Sequence, residues 1–332
     1  MSENYIEHAG KAVETDGSFK YVMAITLDPR TNYKEGIIRC ISSREGELDV
    51  KGYVDRSVLY KITGTSLEKF NIEERLIINN EEKIIKELTP PAGDFIGLED
   101  PDIWIDDNTI LIHVYFTIPI KGEHTTTHLG HAFGKNLDSL EMTMPVLQAV
   151  RDDRAKEVSI APLNKQGFRY NLIESSDKRG EVRYSTVRVA IAKDMGKNWE
   201  YGDVAFHPAD NNISWIAGHA SPGPLFSENF INLGPGKRLG LINGREANQK
   251  IGDKIKYGMF SVGLFIYDYE NGKIDWVSPL PFIQDSEATT VTFASQFVET
   301  GPGQGILYAH VDDSFVRAYT LLAEKIKPLL PK

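Results

Sequence analysis

Cysteine is nearly absent: Cys40 is the only one in 332 residues. A disulfide framework within the chain and a thiolate metal cluster are both excluded. Cys40 sits in the β-like run Gly36-Ile37-Ile38-Arg39-Cys40-Ile41 and reads as a buried structural thiol. Long apolar runs are lacking too. Even Met259 to Tyr267 is far too short to span a bilayer as a helix, so no membrane partner is expected. The first eight residues, Met1 to His8, contain neither a basic n-region nor an apolar h-region, and a cytoplasmic location is expected. Excess positive charge is missing: the net charge is −10, with acidic and basic residues interspersed. A nucleic-acid partner, which calls for a basic face, is not expected. No metal-ligand spacing stands out, and neither a metal nor another cofactor is expected. Oligomeric state is not readable from the spacing, and a homo-oligomer stays open.

Long stretches with a 3.6-residue period are also scarce. What fills the chain is strand-like sequence, such as Tyr21 to Leu27, Ile110 to Thr117, Val187 to Ala192, Arg238 to Asn243 and Gly305 to Val311. Turn signals separate these runs, among them Asp106-Asp107-Asn108, Lys178-Arg179-Gly180 and Glu270-Asn271-Gly272-Lys273. Only Leu321 to Leu329 and Ser66 to Glu74 read as short helical pieces. A unit of apolar strand, turn, apolar strand and charged hairpin recurs roughly every 50 to 60 residues, as in propeller blades. About five copies fit between Tyr21 and Thr320. The expected fold is therefore an all-β, five-bladed β-propeller over residues 21–332, with a segment 1–20 able to complete the last blade. A β-sandwich is the competing architecture.

The sharpest local feature is Ile96-Gly97-Leu98-Glu99-Asp100-Pro101-Asp102-Ile103, with three carboxylates just before a hydrophobic strand. The innermost strand of a propeller blade begins beside the central axis, so these side chains would line a funnel. Pro101 donates no ladder hydrogen bond and favours an extended Asp100. Crowded, desolvated carboxylates raise at least one pKa, as a general acid requires. The bland reading is a solvated acidic turn.

Gly97 to Ile103 resembles the G-x-E-D-P-R-I element of glycoside hydrolase family 130, the mannoside phosphorylases and related β-mannosidases. Further segments follow in that family's order: Ala192 to Trp199, the loop Gly218-His219-Ala220-Ser221-Pro222-Gly223-Pro224-Leu225, Leu239 to Gly244, Tyr257 to Asp268, and Leu307 to Asp313. The resemblance covers roughly residues 20 to 320 and implies a five-bladed propeller acting on an oligosaccharide. It puts the catalytic acid on Asp100 and implies sugar contacts from Glu99, Arg56 and Asp312. A Gly-Pro loop could expose His219 in the funnel, and Asn243 ends a strand before Gly244; both are substrate-binding candidates.

The departures shift the expected chemistry. Asp102 stands where the family has an arginine, and Glu174 stands where it has another. Phosphate needs charge-assisted donors, so carboxylates in these places favour activation of water. The expectation is inverting hydrolysis of β-mannosides or related oligosaccharides, with Asp100 as acid and Glu174 as base. A mannoside phosphorylase and a non-catalytic carbohydrate-binding propeller are the alternatives, and a sialidase-like enzyme is a weaker one. His113 reads as a core imidazole. His128 and His131 should face opposite ways on one strand. Tyr53, Trp104, Trp199 and Trp215 are candidates for a sugar-stacking platform or for blade core.

Overall fold

The computed structural model describes residues 6–332 other than 16, 48, 49, 124 and 150–153; of residues 6–9 only the backbone is described. The fold is all-β, and the β-sandwich alternative is not what forms. Mostly antiparallel strands assemble into sheets of four, six, eight, two and four strands. The eight-stranded sheet consists of two antiparallel meanders joined by a single parallel pairing, Ser185 with His219. The strand Ile6–Glu14 pairs antiparallel with Phe315–Leu322, so the two ends of the chain share a sheet. Residues 1–5 of the expected N-terminal segment lie outside the described residues.

The innermost strands are Tyr21–Leu27, Glu99–Ile105, Lys156–Ser159, His219–Leu225 and Thr292–Gly301. Each touches the next in that order, and Thr292–Gly301 touches Tyr21–Leu27 again, which closes a ring. The core lies between neighbouring sheets. Ile37 and Leu59 meet Val114 and Phe116; Tyr115 and Leu129 meet Ile173 and Ala190; Leu172 and Val187 meet Ile242 and Phe265. Leu239 and Leu264 then meet Leu307 and Tyr319, and Val22 and Ile38 meet Tyr308 and Val316. Strands sandwiched this way read as continuous apolar runs, as in Ile112–Lys121, where all but the last residue are buried.

Two local expectations are corrected. Ser66 to Glu74 is not helical: the strands Val54–Ser66 and Lys69–Arg75 form a hairpin there, with Phe70 delivered into the core. The longest helix among the described residues is Glu81–Leu88, whose Ile84, Ile85 and Leu88 pack against the core that holds Ile37, Leu59, Val114 and Phe116. Leu321 and Leu322 end a strand, after which come the helical turns Ala323–Ile326 and Lys327–Leu329. Among the described residues no helix is long and apolar enough to cross a membrane.

Candidate active site

Chain topology brings the starts of the innermost strands and the ends of their partner strands to one end of the axis. Glu99 and Asp100 open one inner strand, Lys156 and Glu157 the next, and His219 the one after. Opposite them stand Arg39 on Glu35–Glu45, Glu174 on Arg169–Arg179 and Arg245 at the end of Lys237–Arg245. These side chains carry more ionisable groups than an apolar interior tolerates unpaired, and the pairing is specific.

Gly97 sets the entry into the acidic strand. Its φ is 118°, and a Cβ there would stand 1.9 Å from the Ser57 carbonyl oxygen, so only glycine lets the two backbones approach. Pro101 then sits inside a register shift between Glu99 and Asp102, where no ladder donor is required. Asp100 is not extended, as the pre-proline position suggested, but left-handed with φ 49°. The bulge imposes this turn and aims the carboxylate away from the ladder.

Arg39 clamps both carboxylates. Its Nη1 donates to Asp100 Oδ1 at 2.7 Å, its Nη2 lies 2.9 Å from Glu99 Oε1, and its Nε donates to Ser57 Oγ at 2.9 Å. Lys156 Nζ lies 3.6 Å from Asp100 Oδ2. Burial opposes charge on Asp100, but the Arg39 guanidinium and the Lys156 ammonium outweigh it and hold its pKa well below the usual carboxylate range. Glu99 goes the other way: burial, with Asp100 adding repulsion, raises it despite Arg39. Glu157 is raised strongly by burial and by the Asp100 charge. Crowding therefore does produce a raised carboxyl, but not on Asp100.

Across the end of the axis, Glu174 is buried and its Oε2 lies 3.2 Å from His219 Nε2. Burial would raise Glu174, yet His219 and Lys156 bring it down to about 2, so it is ionised at neutral pH. Burial lowers His219. Arg245 is 7% exposed, stacks on Tyr257 at 4.1 Å, and its Nε and Nη1 have no hydrogen-bond partner among the described residues. Next to Arg39, Arg44 donates to Asp55 at 2.6 Å and approaches Asp313 at 3.3 Å, with His310 Nε2 also 3.3 Å from Asp313. Burial lifts Asp313 to about 6 and lowers His310 to about 3. Asp102 lines the axial cavity beyond the cluster, and burial pushes it up to about 7.

Asp100, Glu99, Glu174 and His219 are thus brought together, while the other candidates have different work. Arg56 is half-exposed and pairs with Asp94 at 2.7 Å. Asn243 is fully buried; its amide donates to the Ala294 carbonyl and accepts from the Ala294 N–H, clasping neighbouring sheets. The Asp312 carboxylate accepts from the Thr289, Thr290 and Val291 N–H groups and from both threonine hydroxyls, capping a turn, and its neighbour Asp313 faces the cluster instead. Trp199 and Trp215 are core, and Tyr53 borders the cluster. His131 does not stand alone, because its Nε2 is 2.9 Å from His113 Nδ1 in a buried pair. Cys40 is buried, as expected.

Arg39, Lys156, Glu157 and Arg245 were not singled out in the sequence. A charge inside an apolar run, as in Ile37-Ile38-Arg39-Cys40-Ile41, was the available signal. Among the described residues no group of histidine, cysteine and carboxylate side chains is arranged to hold a metal.

No family model and no curated protein matches this chain by sequence. Solved structures do match in fold. A β-1,2-mannobiose phosphorylase from Listeria innocua, in complex with β-1,2-mannobiose, superposes with a TM-score of 0.62 at 14% identity, over 99% of this chain and 94% of that one. A mannose phosphorylase from Leishmania mexicana, bound to phosphate, gives 0.53 at 13% identity, over 96% and 90%. A GH62 α-L-arabinofuranosidase catalytic domain from Coprinopsis cinerea gives 0.55 at 7% identity, over 96% and 97%. The chain has a β-propeller fold like that of glycoside hydrolase family 130, and these neighbours are carbohydrate-active enzymes.

Proposed function

We propose that this protein is a five-bladed propeller enzyme, a single catalytic unit over residues 21–332, that cleaves β-mannosides or related oligosaccharides by inverting hydrolysis. The blade count follows if the two meanders of the eight-stranded sheet are separate blades. The observation that carries the reaction is the convergence of two kinds of carboxyl at one end of the axis: the Asp100 and Glu157 group and, beyond Lys156, the ionised Glu174 with His219. Inverting hydrolysis needs such an acid and such a base on opposite faces of one sugar ring. Glu174 takes a proton from water while the water oxygen bonds to the anomeric carbon. The glycosidic C–O bond breaks, and the leaving oxygen is protonated from the Asp100 side. Glu99 and His219 border the sugar.

Phosphorolysis is the second reading, and Arg245 favours it. A buried guanidinium with two unpartnered nitrogens is a ready donor to an anion, and two of the structural neighbours are phosphorylases. Incubation with β-1,2-mannobiose, with and without inorganic phosphate, separates the two. Free mannose formed without phosphate supports hydrolysis. Mannose 1-phosphate formed only with phosphate transfers the assignment to the second reading. Ligand binding without turnover supports a non-catalytic carbohydrate-binding protein.

A further inference from the structure

The inner strands share a defect. Each has a register shift against its neighbour: between Met23 and Ile25, Glu99 and Asp102, Lys156 and Val158, Pro222 and Leu225, and Ala294 and Gln296. At three of these shifts the bulged residue is left-handed: Ala24 with φ 47°, Asp100 with φ 49° and Glu157 with φ 48°. Asp100 and Glu157 are therefore equivalent positions in adjacent sheets, each lifted out of its ladder, and both line the axial cavity. Strain of this kind at a non-glycine residue persists where the surroundings over-determine it and gathers at functional sites.

The two carboxyls meet. Asp100 Oδ1 is taken by Arg39, while Asp100 Oδ2 is buried and has no N–H or hydroxyl donor within hydrogen-bond distance among the described residues. Glu157, on the equivalent bulge of the next inner strand, lines the same cavity and is the carboxyl that acts on Asp100. Two carboxyls crowded into one buried site do not both ionise readily, so one proton is held between them. Arg39 and Lys156 fix the negative charge on Asp100, so the proton belongs to Glu157. Glu157 is also only partly buried, whereas Asp100 is closed in.

We propose that Glu157 is the proton donor of this site and that Asp100, held between Arg39 and Lys156, is the partner that orients it. The inference rests on the reading that the site cleaves a glycosidic bond. In the step, the Glu157 O–H bond breaks with its electron pair left on Glu157, and the proton goes to the leaving glycosidic oxygen. The two adjacent anions then recapture a proton from solvent, balancing the one that Glu174 took from water and releases.

The test uses the full chain with Glu157→Gln and Asp100→Asn. On a β-mannoside disaccharide, Glu157→Gln should lower kcat/KM by about 10²-fold or more, the usual worth of a general acid. On an aryl β-mannoside with an activated leaving group, which needs no proton, it should be near wild type. Asp100→Asn removes the charge that raises Glu157, so the alkaline limb of the pH–rate profile should persist but move toward acid. Equal disaccharide turnover by Glu157→Gln and wild type, or loss of the alkaline limb in Asp100→Asn, overturns the assignment. Infrared difference spectra at neutral pH read the proton without turnover: the wild type minus Glu157→Gln spectrum should contain a protonated-carboxyl band. If the band is present and no glycoside turns over, the glycosidase reading fails and the shared proton stands. If the band is absent, the proton assignment fails whatever the activity.

Discussion

Replacing Arg39 with methionine keeps an unbranched apolar stem and removes the charge that two buried carboxylates share. Arg39 makes charge-assisted contacts to Asp100 and Glu99 at 2.7 and 2.9 Å. Each such bond is worth about 1.5–3 kcal/mol, or about 3–6 together. The folded protein can recover part of this by protonating Glu99, already raised by burial. The net loss should then be about 3–5 kcal/mol at neutral pH, the range found when one partner of a buried pair is removed. The pH dependence has a definite sign. In the wild type the lowered pKa of Asp100 contributes stability above its unfolded value, and this is lost as pH falls toward the folded pKa. In Arg39→Met both carboxyl pKa values rise above their unfolded values, so the penalty is full at neutral pH and shrinks as pH falls. Equilibrium urea unfolding followed by tryptophan fluorescence, at about pH 7 and about pH 5, measures both points. A difference below about 1 kcal/mol at neutral pH, or one that grows toward acid, refutes the clamp.

Asn243→Ala should destabilise the fold by about 1–3 kcal/mol for each backbone group of Ala294 left unpaired, with KM for substrate unchanged, as denaturation and kinetics on one preparation would show. Arg56→Ala should leave thermal stability and turnover unchanged within error, since its pair with Asp94 is exposed and solvent-screened; a large rise in KM would return Arg56 to the site. Burial lifts the folded pKa of Asp102 to about 7 from an ordinary value of 3.8, so its ionisation costs stability progressively as pH rises between the two. Asp102→Asn should therefore match the wild type near pH 4 and exceed it in thermal stability above about pH 7.

The Glu99-Asp100-Pro101 tripeptide was legible because three carboxylates before an apolar run are rare and because other segments followed in a familiar order. Glu174 and His219 were legible from the same series, and the structure sets them 3.2 Å apart. What sequence could not supply was register. Asp312 and Asp313 differ by one position, and only the turn decides that Asp313 meets Arg44 while Asp312 caps backbone. Asn243 at a strand end looked free because its partner, Ala294, which both accepts from and donates to its amide, is 51 residues away. Lys156 and Glu157 were not singled out, since the bulge at Glu157 leaves no compositional trace. The helix Glu81–Leu88 was missed, and Ser66 to Glu74 misassigned, because a single amphipathic turn and a polar hairpin look alike over eight residues.

The most direct test of the central claim is phosphate-free turnover of a β-mannoside disaccharide by wild type, Asp100→Asn and Glu174→Gln, with released reducing sugar measured and the anomer followed by NMR at early times. The account predicts release of the α-anomer by wild type. It predicts a loss of about 10²-fold or more in Glu174→Gln and impaired turnover with a shifted pH profile in Asp100→Asn. Release of the β-anomer, or full activity in Glu174→Gln, would contradict it.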